Sequence, residues 1–165
     1  MANPFVMYDN IVPIVSPQDI TGTATSAPYM DLKNAQAAGF LICVGNVDGT
    51  STDTEVITVQ AATAEGGTEA AIPFRYRQAT ALGANVWGAV TTCASTGLAY
   101  AVGDDNKWLW IEIEPAELAA DDYRYVRVVL TDTPDMANFL VAVVGFIQAR
   151  YKQTTMLTAT GSASS

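Results

Sequence analysis

Apolar and polar residues alternate with a period of two along much of the chain, and turn residues interrupt the alternation at short intervals. Such alternation buries one side of a strand and turns the other outward. Residues 55–62 (EVITVQAA) set Val56, Thr58 and Gln60 against Ile57, Val59 and Ala61. Residues 72–79 (IPFRYRQA) set Phe74, Tyr76 and Gln78 against Arg75 and Arg77. Residues 107–113 (KWLWIEI) place Leu109, Ile111 and Ile113 on one face and Trp108, Trp110 and Glu112 on the other. Strands are also predicted over 39–47 (GFLICVGNV) and 123–130, with weaker patterns over 86–94 and 98–102. Residues 138–151 have the length of a helix, but their dense Val, Ile and Phe content and Gly145 predict a buried strand. The clusters at 46–51, 65–67 and 103–106 are turn signals, and Pro115 opens one predicted helical turn over 115–118.

Short strands at this spacing predict an all-β fold, an antiparallel β-sandwich of Greek-key or jelly-roll type. The expected division is an extended N-terminal arm over 1–27, a sandwich domain over 28–151 and a flexible C-terminal tail over 152–165. In the arm, Pro4, Pro13 and Pro17 interrupt any helix, and 11–15 has room only for a short edge strand. The tail decays into Thr, Ala, Gly and Ser with no apolar period. The arm carries Phe5, Val6, Tyr8, Ile11, Val12, Ile14 and Val15, many apolar side chains for a segment standing in water. Either it reaches a neighbouring subunit, each buried side chain contributing about 1.5–3 kcal/mol before the ordering cost, or it lies back on its own domain as an edge strand.

Composition narrows the function. The chain has 165 residues, enough for one core. Half are hydrophobic and 15% are charged, so part of the surface is expected to be covered by partners. The net charge of −9 repels phosphate backbones and anionic lipid, which argues against nucleic-acid and membrane partners. No secretory signal is visible at the N-terminus, and the apolar run 139–147 is too short for a membrane helix. Cys43 and Cys93 fit no zinc or redox spacing and are expected as buried thiols rather than a disulfide.

Histidine is absent, which removes His-based triads, Cys–His dyads and HExxH sites. No phosphate-cradling glycine loop or Ser-x-x-Lys motif occurs. Glu112, Glu114 and Glu117 beside Trp108 and Trp110 have the ingredients of a glycosidase pair. The plainer reading is a strand's solvent face, with Asp104-Asp105 in a turn and Asp121-Asp122 in a loop. Residues 46–55 are rich in oxygen ligands but miss the EF-hand pattern, and Asp48-Gly49 is a hairpin turn signal. The chain is therefore read as having no catalytic residue, no metal site and no cofactor. Leu118-Ala-Ala-Asp121-Asp122-Tyr123-Arg124-Tyr125 resembles a tyrosine corner, with either tyrosine able to bond back to the chain. Trp108 and Trp110 either lie where both sheet faces are covered or form a partner interface.

Residues 28–151 resemble the small accessory proteins of tailed-bacteriophage heads, the cement or decoration proteins. The likeness lies in the acidic, His-free core opening with Tyr29-Met30-Asp31-Leu32-Lys33-Asn34, the strand GFLICVGNVDG, the segment WLWIEIEPAEL with its Asp-rich turn into YRYVRVVL, and the last strand ending Ala149-Arg150-Tyr151. The resemblance implies a β-rich virion protein without enzymatic activity. Its partner would be the major capsid protein, on the capsid surface of particles assembled in the host cytoplasm, and it would act as a homo-oligomer, with a trimer favoured. The other expectation is a carbohydrate- or receptor-binding sandwich of a fibre or tail component, with Trp108 and Trp110 stacking a glycan.

Overall fold

The computed structural model describes residues 10–21, 25–49, 54–79, 83, 86–102, 104–131, 136–150 and 159–160. The chain forms a sandwich of two antiparallel sheets. The first sheet, A, contains β1 (Asn10–Asp19), β4 (Ala35–Gly49), β7 (Phe74–Ala79), β8 (Thr91–Cys93), β10 (Lys107–Ile113) and β12 (Met136–Ala149). Sheet B contains β2 (Thr25–Ser26), β3 (Tyr29–Asp31), β5 (Thr54–Ala62), β6 (Glu69–Ile72), β9 (Leu98–Ala101), β11 (Tyr125–Thr131) and β13 (Ala159–Thr160). The spatial order in sheet A is β1-β12-β4-β10-β7-β8 and in sheet B β13-β3-β11-β5-β6, with β2 also on β11 and β9 also on β5.

The pairings are nested. β1 pairs with β12, β3 with β11, β4 with β10 and β5 with β6, as in one long antiparallel ribbon closed at β5 and β6. The pairings β12·β4 and β11·β5 then join the limbs of that ribbon within each sheet. Most connections therefore cross from one sheet to the other.

The inward residues make one core. Phe40, Ile42, Leu109, Ile111, Val143 and Ile147 from sheet A meet Met30, Ile57, Val59, Val126, Val128 and Leu130 from sheet B, all with no exposed surface. The alternation expected for 107–113 holds, with Leu109, Ile111 and Ile113 buried. The long apolar segment is the strand β12, and α1 (Pro115–Leu118) is the expected turn with Pro at its start.

Three expectations are corrected, and the alternative left open for the arm is decided. Residues 72–79 are not one strand: Pro73, which has no N–H for a ladder, breaks it so that β6 and β7 join different sheets. Of the two places left open for the arm, residues 10–19 take the second, as a ten-residue edge strand in bulged register with β12, longer than the 11–15 expected, so the sandwich begins before Tyr29. The cause is burial: Val15 is in the core and Ile14 sits over Gly145, where any side chain would come within 2.5 Å of it. In the tail, Ala159–Thr160 pairs with β3. The corner after α1 is closed by backbone instead of a phenol. Asp122 takes φ +58° and the Tyr123 N–H donates to the Leu118 carbonyl at 3.1 Å, with no hydroxyl bond from Tyr123 or Tyr125 among the described residues.

Candidate functional site

Residues paired across antiparallel strands point to the same side, so the register lays out the outer face of sheet A row by row. One row runs Ile11, Phe146, Gly39, Glu112, Arg75. The next runs Pro13, Val144, Leu41, Trp110, Arg77, and the third Ala142, Cys43, Trp108, Ala79. Across four neighbouring strands this face is almost wholly apolar, and its charges stand on the β10–β7 flank. Ile11, Trp108 and Leu140 are 53%, 37% and 42% exposed. The other large exposed hydrophobics among the described residues, Val86, Trp87 and Val90, lie on the segment beside β7, where the Gly88 N–H donates to the Gln78 carbonyl at 2.9 Å.

Two glycines of β4 shape this face. A side chain at Gly39 would come within 3.2 Å of the Trp110 ring, and one at Gly45 within 3.1 Å of the Leu140 Cβ. Trp110 therefore lies across β4 toward Phe146, with ring centroids 5.1 Å apart. Trp108 and Leu140 instead flank an open apolar groove of about 520 Å³, lined also by Cys43, Gly45 and Ala142. Both cysteines are free thiols, and burial pushes their pKa values up.

The β7 end of the face differs in chemistry. Two adjoining hollows of about 240 and 250 Å³ share Arg75, Glu112, Ile113 and Glu114. One extends past Pro73 to Glu117 and Leu118; the other is walled by Trp110, Gln36 and Gln148. The Arg75–Glu114 ion pair, 2.7 Å long, stands between them. Among the described residues no group of three His, Cys, Asp or Glu side chains could hold a metal.

The nine residues expected at an interface are thus distributed unevenly. Phe5, Val6 and Tyr8 lie outside the described residues. Val15 is buried in the core, Ile14 packs against it and Val12 is half-buried. Ile11 and Trp108 are exposed on the outer face of sheet A, with Trp110 half-buried between them and the polar hollows. The two tryptophans do not line one hollow: Trp108 belongs to the apolar groove and Trp110 to the polar one. Of the calcium-like loop, residues 50–53 lie outside the described residues, and the Asp48 carboxylate accepts from the Gly49 N–H at 2.9 Å.

Sequence reasoning missed Leu41, Leu140, Val144 and Phe146 as surface residues. Apolar residues of both parities in 39–47 and 138–151 read as strands covered on both sides. Gln36 and Gln148 had no signal, because only the β4–β12 register brings them near Trp110. Comparison with protein-family models, with curated proteins and with solved structures finds no match.

Proposed function

We propose that this chain is a non-catalytic structural protein of a tailed-phage virion. It binds the outside of the capsid and bridges major capsid subunits as cement, and the outer face of sheet A is its contact surface. The apolar continuity of that face carries the reading: on a body of net charge −9, the described residues leave a multi-strand apolar surface uncovered, and a protein partner is the cover that suits its Trp108 half. The nested strand order supports a jelly roll, with β1-β12-β4-β10 facing β3-β11-β5-β6, an architecture used in virus shells and lectins alike. Pro13 and Pro17 blunt the β1 edge, which favours docking through a face over addition of a strand. In this reading the protein acts as a homo-oligomer, a trimer being what the resemblance implies, on virions assembled in the host cytoplasm.

The test is co-sedimentation with shells that lack the protein. Wild type should pellet with shells. A Trp108→Ala/Leu140→Asp double variant with an unchanged circular dichroism spectrum should stay in the supernatant. Undiminished binding by that variant, or none by wild type, would overturn the reading.

A further inference from the structure

The two hollows around Arg75 are built unlike the apolar groove at Trp108. Their lining combines a guanidinium donor, the carboxylate acceptors Glu112, Glu114 and Glu117, and the amides Gln36 and Gln148, which offer both. Trp110 supplies an apolar wall on one side. A ligand that suits this lining carries many hydroxyl groups, each donating and accepting, around a ring with C–H faces able to lie on an indole. Each hollow alone, about 240 or 250 Å³, is smaller than the ~300–1,000 Å³ usual for small-molecule sites, so a ligand of ordinary size spans both and parts the Arg75–Glu114 pair between them.

We propose that this groove binds a neutral carbohydrate, independently of docking through the Trp108 half of the face. Three carboxylates line the hollows against Arg75, with Arg77 next to Trp110 outside their lining, and this negative balance disfavours uronic, sialylated and phosphorylated sugars. The groups are held on strands: Glu112 and Arg75 are direct cross-strand partners on β10 and β7, and Trp110 is fixed by Gly39 and Phe146. The Arg75–Glu114 pair is a bar that a ligand can open. Its side chains are 43% and 52% exposed, so the pair contributes little stability and sugar hydroxyls can replace its hydrogen bond.

The intact protein should be applied to an array of glucose-, galactose- and mannose-based neutral oligosaccharides, with sialylated glycans as charged comparators. The strongest binder is then titrated by calorimetry. Binding confined to neutral glycans is expected. Trp110→Ala should weaken it by roughly tenfold, the scale of one aromatic contact with its buried area, and Glu112→Gln should weaken it several-fold. Leu140→Asp should leave it unchanged while abolishing shell binding, which separates this site from the docking face. Where Trp110→Ala fails to fold, Trp110→Phe, which keeps a ring against Phe146, should still bind more weakly than wild type. Absence of neutral-glycan binding, preference for sialylated glycans, or wild-type affinity in both the Glu112→Gln and Trp110 variants would each overturn the proposal.

Discussion

The outer faces of the two sheets solve opposite problems with the same alternating pattern. On sheet B the outward residues satisfy one another. Arg124 donates from Nε to the Asp31 carboxylate at 2.7 Å and lies 5.0 Å from the Tyr125 ring centroid. Arg127 bonds Gln60 at 3.0 and 3.1 Å, pairs with Glu69 and lies 4.8 Å from the ring centroid of Tyr29. The Tyr29 hydroxyl donates to Glu69, and burial together with that bond pushes its pKa up to about 12. At this end of the face polar groups meet polar partners, and the apolar Val129 and Val56 stand only in the rows beyond. On sheet A the equivalent positions are Leu41, Cys43, Trp108, Ala142 and Val144, which water does not satisfy and which no side-chain network among the described residues covers. A polar network seals a surface, whereas an unsealed apolar one of this breadth is a place for a partner.

Both faces rest on one core, and damage there should exceed any change on either surface. Ile111→Ala is expected to cost about 2–5 kcal/mol in urea unfolding, because Ile111 is wholly buried. Near-normal stability would mean that the sheets do not share that core. Next, Arg127→Ala should cost about 1–3 kcal/mol, since it leaves the partly buried Gln60 without this donor and Glu69 with the Tyr29 hydroxyl but no counter-charge. A cost near zero would remove the idea of a sealed face.

Acid should act on the same network. Burial raises the Asp31 pKa, but the bonds from Arg124 and the Lys33 N–H outweigh it and hold the carboxyl below its ordinary 3.8. A depressed pKa contributes stability above the unfolded value and loses it as pH falls through the folded one. The unfolding midpoint should therefore drop below about pH 4, and Asp31→Asn should flatten that slope. Asp19 and Asp104 are held low as well, by Thr21 and Phe139 and by Lys107 and Ala101 respectively, so only the difference between wild type and the Asp31 variant reports on sheet B. The smallest effect is expected on sheet A: Leu140→Ser should change stability by under about 1 kcal/mol, because the side chain is already 42% exposed. A larger loss would make Leu140 part of the fold rather than of a contact surface.

Local pattern was enough for the strands and their inward residues. Alternation in 55–62 and 107–113, the β-branched density of 138–151 and Pro115 each act through neighbours in the chain, so β5, β10, β12 and α1 were legible before any tertiary contact. Elsewhere the same kind of information misled. Ile14 looks like a side chain in search of a neighbour until Gly145, more than a hundred residues away, provides its seat, and Val15 until its register with Val143 places it in the core. The alternation over 72–79 runs straight through Pro73, and nothing local marks it as the point where the chain changes sheets. Trp108 and Trp110 share a face by sequence spacing, yet Leu140 beside one and Gln36 and Gln148 beside the other give them different chemistry. Periodicity states which side of a strand is apolar. Whether that side meets a core, a network such as Arg127–Gln60–Glu69 or open solvent depends on register between strands distant in sequence, which hydrogen bonding and packing of the whole sandwich select together.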